Sequence, residues 1–282
     1  MGIILAGAAA LLYGVADFSG GLATRRSRVH AVLFHSQLLG LALALVAAPF
    51  IAPLFTGGGA TTRDVLWGMG AGASGAFGLA FLYRGLAAGV IAVVSPVAAV
   101  VGAGVPVAAG LLLGESPGVT GWAGIAVSLL AIMLLGWHRV SGTERARLRA
   151  SLLHGLLAGL GFGGFFVLIA RPGEQAGLWP LVGARLASIA MVAAFSLAAG
   201  RSMRVARDSA ALLVVTGVFD MGANIAFVMA SRIYLLSVVS VISSLYPAPT
   251  VVLGRVVLGE RLTPARVAGL VSAVSGVALM SV

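Results

Sequence analysis

Residues 93–115 read VVSPVAAVVGAGVPVAAGLLLGE, and residues 238–260 read VVSVISSLYPAPTVVLGRVVLGE. The two stretches lie 145 positions apart. Each opens on Val-Val-Ser, closes on Leu-Gly-Glu and carries two prolines in an apolar run: Pro96 and Pro106 in the first, Pro247 and Pro249 in the second. Each is long enough to cross a hydrocarbon core of about 30 Å as an α-helix, which takes about 20 residues. At the same offset Leu11, Leu12 and Gly14 fall on Leu156, Leu157 and Gly159, Gly72 on Gly217 and Gly124 on Gly269. A constant offset between equivalent segments marks an internal repeat, with halves over 1–140 and 141–282.

Working outward, apolar segments recur along the chain at 2–22, 32–54, 65–83, 90–113, 119–137, 151–170, 178–199, 210–229, 234–258 and 264–281. With 60% hydrophobic and 9% charged residues, against roughly 45–50% and about 25% for soluble domains, a water-soluble globular fold is excluded. The expected fold is an all-α polytopic membrane protein of ten transmembrane helices. Five crossings per half is an odd number, so the second half enters the membrane from the opposite side and the repeats are inverted. Such repeats mark secondary transporters, whose two halves can open alternately to either face.

The cations agree with this topology. All 18 are arginines against 8 acidic residues, a formal net charge of +10. Nucleic-acid binding needs a basic face on a soluble domain, whereas these arginines punctuate apolar stretches. Thirteen lie in odd-numbered loops: Arg25, Arg26 and Arg28, then Arg84, then Arg139, Arg145, Arg147 and Arg149, then Arg201, Arg204 and Arg207, then Arg261 and Arg266. Even-numbered loops hold three, Arg63, Arg171 and Arg232, while Arg185 and Arg255 lie within segments. The positive-inside rule puts the odd loops in the cytoplasm, both termini outside and the protein in the inner membrane. The first segment has no basic n-region and carries Asp17, so it reads as a retained helix rather than a signal peptide. With no cysteine in the chain, disulfides, thiolate metal sites and a cysteine nucleophile are excluded.

The motifs Leu111-Leu112-Leu113-Gly114-Glu115, Val256-Val257-Leu258-Gly259-Glu260-Arg261-Leu262-Thr263, Val93-Val94-Ser95-Pro96 and Leu12-Tyr13-Gly14 resemble the EamA-type transporters of the drug/metabolite transporter superfamily. Their placement covers essentially the whole chain. The resemblance implies ten helices in two inverted halves around a central cavity, and transport of amino acids, other small metabolites, sugars or drugs. Two departures stand out: Tyr13 occupies a position where the family usually has Trp, and Asp17 lies in the same helix.

Several motifs have a purely physical reading. Gly114 and Gly259 can close their helices in the left-handed conformation, with Ser116-Pro117 and Thr263-Pro264 as N-cap and first helical residue of the next. Glu115 and Glu260 then lie at the positive end of the following helix, as structural caps or as gates. Gly155, Gly159 and Gly163, like Gly68 and Gly72 or Gly110 and Gly114, form four-residue stripes that allow close helix packing in lipid. Pro96, Pro106, Pro247 and Pro249 are expected to interrupt the fourth and ninth helices. Such breaks free backbone groups that must face a cavity, and so point to a binding site; simple kinks are the alternative.

Ionisable groups inside a span are costly and mark function. Asp17 shares a helix face with Tyr13, and Asp220 with Asn224, at i, i+4 spacing. Either aspartate can hold a substrate ammonium or carry a proton; the alternatives are pairing of Asp17 with Arg25 and of Asp220 with Arg185. Arg185 can fork a carboxylate or phosphate, whereas Arg255 is close enough to a helix end to snorkel. Ser74, Ser95, Ser240, Ser243 and Ser244 either bond helix carbonyls or line the cavity. Tyr246, beside Pro247, is the aromatic contact chosen over Trp122 and Trp179, and His35 and His154 read as interfacial.

The substrate-binding set is therefore Tyr13, Asp17, Ser74, Ser95, Arg185, Asp220, Asn224, Ser240, Ser243 and Tyr246, with Asp17 and Asp220 as the proton-coupling pair. Together these features predict a secondary transporter for a small polar metabolite, with an amino acid or related zwitterion favoured and export the expected direction. A flippase for lipid-linked sugars or a multidrug exporter would use the same fold. An intramembrane lipid-modifying enzyme is disfavoured, because the sequence has no His-Glu-x-x-His, acidic metal or Gly-x-Ser-x-Gly motif. No ATP-binding loop, cofactor or metal site is expected. The partners are a small-molecule substrate, the bilayer and protons, and the sequence is compatible with a monomer or a homodimer.

Overall fold

Apolar residues cover every face of the long helices, the pattern of segments surrounded by lipid. The computed structural model describes residues 1–51, 59–88, 91–136 and 148–282, and every regular element among them is helical. In order they are α1 (Gly2–Thr24), α2 (Val29–Ile51), α3 (Thr62–Ala88), α4 (Ile91–Leu112), α5 (Gly118–Leu135), α6 (Leu148–Ile169), α7 (Trp179–Ala198), α8 (Ala210–Ile233), α9 (Leu236–Ser243), α10 (Pro247–Leu258) and α11 (Pro264–Met280). Taking α9 and α10 as one crossing, nine spans among the described residues are long and apolar enough to cross a membrane, and α11 is a shorter apolar helix of 17 residues. The ten expected segments match these elements. The expected positions of Arg139, Arg145 and Arg147, the boundary between the halves and residues 52–54 of the second segment lie outside the described residues.

Side-chain size sorts the two environments. Ile4, Leu11, Leu112, Leu153 and Val274 face outward, whereas Ala6, Ala9, Ala44, Ala71, Ala103 and Ala131 are fully buried. Lipid offers apolar side chains as good a medium as the interior, so inward positions go to residues that let backbones meet. The glycine stripe of α6 shows the geometry. A Cβ at Gly155 would lie 2.9 Å from the Val94 carbonyl oxygen, one at Gly159 2.8 Å from that of Ala98, and one at Gly163 3.0 Å from that of Gly102. Thus α6 rides along α4 for two turns. Gly68 and Gly72 likewise abut the backbone of α7 at Pro180 and Ala184. Gly114 departs from the expected stripe, because a Cβ there would meet open space.

The helices pair mainly between the two halves. α1 packs on α8 and α3 on α6; α2 packs on α7, and α5 on α11. α3 also lies on α7 and α2 on α8, while α4 and α9 meet each other. Exchanging the halves maps this set of partners onto itself.

The fourth and ninth segments differ from expectation in one respect. The ninth is broken: α9 ends at Ser243, Ser244–Tyr246 form a turn, and α10 restarts with Pro247. The fourth is not, since α4 runs through Pro96 and Pro106 as a single helix. Each proline removes one ladder bond and crowds the carbonyl four residues back. Ten residues separate the α4 prolines, leaving full turns of intact ladder between them, whereas Pro247 and Pro249 strike within one turn.

Gly114 and Gly259 do adopt left-handed backbone, with φ of +86° and +70°. Thr263 caps α11 as expected, its hydroxyl accepting the Arg266 N–H at 3.3 Å. Ser116 does not cap α5: Gly118, at φ +71°, turns the chain at the helix mouth, and Pro117 occupies the cap position without a side-chain bond. Glu115 also lies elsewhere than beside α5, as described below.

Candidate functional site

A cavity of about 550 Å³ lies between the halves, within the range of small-molecule sites. One end reaches Ser244 and Tyr246 in the turn after α9, all eight residues of which are buried. At the other, the lining reaches Gly21, Thr24 and Val29, where α1 runs out and α2 begins, and Leu82 and Tyr83 near the end of α3. The cavity therefore opens towards the odd-numbered loops.

Six of the expected site residues line it: Tyr13, Asp17, Arg185, Asp220, Asn224 and Tyr246. They come from α1, α7, α8 and the α9–α10 turn, so both halves contribute. Arg185 Nη2 donates to Asp220 Oδ2, an ion pair whose arginine side chain is 11% exposed and whose aspartate is 33% exposed. The alternative of mutual neutralisation is the arrangement adopted. Asp17 faces the cavity and makes no hydrogen bond or ion pair to any described residue, Arg25 included. The lining thus holds two carboxyl groups, Asp17 and Asp220, against one cation, Arg185. Asn224 is buried, its Nδ2 donating to the Asp220 carbonyl at 2.7 Å.

Aromatic rings form the rest of the wall. Tyr13 meets Phe166 and Tyr246 edge-on, with ring centroids 6.4 Å and 6.3 Å apart, and Phe162 and Phe165 lie alongside. Tyr246 owes its place to the helix break and to a glycine. A Cβ at Gly14 would stand 2.9 Å from the Tyr246 carbonyl oxygen and 2.9 Å from Pro249 Cβ. Only a bare backbone lets α1 pass beneath the turn. Thr250 ties the two together, its hydroxyl donating to the Gly14 carbonyl at 3.1 Å.

Four expected residues do not line the cavity. Ser74 Oγ donates to the Gly161 carbonyl at 2.9 Å across the α3–α6 seam, and Ser95 is on the exposed face of α4. Ser240 and Ser243 are fully buried in α9. The fifth serine, Ser244, does line the cavity from the break. His35 and His154 bond carbonyls of their own helices, Ala31 and Ala150, and Arg255 sits exposed at the end of α10. Sequence reasoning missed Gln37, Ser188 and Tyr83. Ser188 Oγ donates to Gln37 Oε1 beside the ion pair, joining α2 to α7. Gln37 was legible as the one carboxamide within its apolar segment, and Ser188 as the residue one turn beyond Arg185. Among the described residues no group of His, Asp and Glu is arranged to hold a metal.

The family model described as the EamA-like transporter family matches residues 149–282. Among curated proteins no sequence matches this chain. One solved structure, titled only as the crystal structure of a protein, superposes with a TM-score of 0.77 at 17% identity, covering 99% of this chain and 95% of the other. At that identity the likeness speaks for the fold alone, which it extends over both halves. Residues 149–282, the second half of the chain, are thus similar in sequence to the EamA-like transporter family, which belongs to the drug/metabolite transporter superfamily.

Proposed function

We propose that this membrane protein is a secondary transporter for a small metabolite bearing a protonated amine, an amino acid or related zwitterion, which it exports by alternating access. The observation that carries this reading is Asp17, a carboxylate without a partner facing a cavity whose opposing cation, Arg185, is already held by Asp220. An ammonium on Asp17 supplies a cation for the second carboxyl group. A substrate carboxylate then competes with Asp220 for the planar fork of Arg185, and the aromatic wall receives the side chain. Ammonium and proton exclude one another on Asp17, which is the simplest way for one carboxyl to couple two fluxes. The inverted arrangement of the halves is supported by the 145-residue register and by the self-mapping helix pairs. The arginine bias supports a cytoplasmic open end of the cavity and both termini outside.

Counterflow into proteoliposomes with labelled amino acids tests this directly. Loss of one charge-assisted contact makes Asp17→Asn at least about tenfold slower, with a flattened pH dependence. Unchanged rate and pH profile in that variant would overturn the role of Asp17. A multidrug exporter is the second reading, favoured by the rings of Tyr13, Phe166 and Tyr246. Transport of an aromatic monoamine lacking a carboxylate, at the rate of the matching amino acid, would decide for it.

A further inference from the structure

The Glu115 carboxylate, at the end of α4 in the first half, reaches across to the second half. Oε1 accepts the Leu236 N–H at 2.6 Å and Oε2 the Ser237 N–H at 2.9 Å. These amides open α9, whose own cap residue, Leu235, supplies no side-chain bond. The first amides of a helix lack partners within it and carry its positive end, so a carboxylate there makes two charge-assisted hydrogen bonds. Gly110 makes room, since a side chain at that position would run into the carboxylate. The contact joins α4 to α9 on the even-loop side, where the cavity is closed.

On the open side no equivalent contact occurs among the described residues. Residue 260 is the register partner of 115, yet the Glu260 side chain is 46% exposed and, lying against Gly254, its carboxylate bonds Arg266 alone among the described residues, at 3.4 Å. The register partners of Leu236 and Ser237 are residues 91 and 92, the first of α4. A second hollow, of about 250 Å³, instead runs between α1 and α10 from Asp17 to Glu260. The closed side also carries unrelieved cost: the Ser237 and Ser240 hydroxyls are buried with no hydrogen-bond partner among the described residues. Burying an unpaired hydroxyl is unfavourable, and wetting α9 would relieve it.

We infer that Glu115 is the latch of the even-loop gate: its hold on the start of α9 keeps that side shut, and its release opens it. Glu260 is the counterpart, docking on the start of α4 when the odd-loop side closes. Arg255 stands where the register would place a second Gly110 and bonds the Glu260 carbonyl at 3.3 Å, while the neighbouring Gly254 lies against the Glu260 carboxylate. The inference rests on the alternating-access reading above.

The chain contains no cysteine, so a single introduced thiol reports accessibility without background. In detergent and without substrate, Ser240→Cys in α9 is expected to react slowly with a polar maleimide, and Thr216→Cys in the cavity lining quickly. Adding Glu115→Gln speeds the first by about tenfold or more and slows the second; Glu115→Asp, too short to reach both amides, lies between. Glu260→Gln leaves Ser240→Cys protected and Thr216→Cys reactive. Rates within twofold of the parent in Glu115→Gln would overturn the latch. So would failure of both Glu115 variants to fold, which would make the carboxylate a cap needed in every state. The labelling involves no solute: absence of transport rejects the transporter reading by itself, and unchanged labelling with intact transport rejects the latch alone.

Discussion

The fourth and ninth segments share a register, a Val-Val-Ser start, a Leu-Gly-Glu end and a pair of prolines, yet one is a continuous helix and the other is two. Proline spacing is one cause and the neighbour is the other. α4 lies along the glycine stripe of α6, which grips it at Val94, Ala98 and Gly102. The break between α9 and α10 lies over Gly14, in a space just large enough for Pro249 and the Tyr246 carbonyl. The comparison shows that a helix break is specified jointly, by clustered prolines that forbid the ladder and by a facing helix that leaves room for the turn. Only the broken segment delivers side chains, Ser244 and Tyr246, from its interruption into the cavity.

Four variants would break or sharpen this contrast. The largest effect is expected from Gly14→Ala. Its methyl enters the contact with Pro249 and the Tyr246 carbonyl, costing about 2–3 kcal/mol by overpacking, read as a lower thermal midpoint in detergent. A midpoint equal to the parent's would mean that the turn does not depend on α1. Next, the double change Pro247→Ala with Pro249→Ala restores two backbone donors and lets the helix run on through the turn. Transport should fall about tenfold, equivalent to about 1.4 kcal/mol, while Pro96→Ala with Pro106→Ala changes it less than twofold; equal losses in the two doubles would end the argument from spacing. The smallest effect belongs to Gly104→Ala, at the register partner of Pro249. A Cβ there meets nothing within 4 Å, so the variant should gain about 0.5 kcal/mol from better helix propensity, and a loss would point to a contact formed in another state.

The fold was legible because lipid imposes a simple code. Segment length, composition and the 145-residue repeat located every crossing, and glycine spacing along α6 foretold a close seam. The cavity lining was legible where charge was scarce: Asp17, Asp220 and Arg185 stood out in apolar helices, and their i, i+4 neighbours Tyr13 and Asn224 followed. It was illegible for serine, because a hydroxyl inside a span bonds a carbonyl as readily as it faces a cavity. Ser74 went to the α3–α6 seam, Ser95 to the outer face and Ser240 into α9, and nothing local separates these cases from Ser244. Gln37 and Ser188 were missed for a related reason, since each matters through the other across two helices.

By itself the sequence determined that the chain spans a membrane about ten times, that its halves share one pattern, and which few ionisable groups lie within the apolar spans. Those properties follow from the cost of exposing backbone and charge to hydrocarbon, and that cost is set residue by residue. Tertiary structure alone decided that Arg185 pairs with Asp220 while Asp17 stays unpaired, that prolines break one segment and spare the other, and that Glu115 holds the start of α9. Each of these depends on groups 35 to 236 positions apart in sequence. Whether such groups meet is set by the approach of backbones at glycine contacts, which local pattern does not encode.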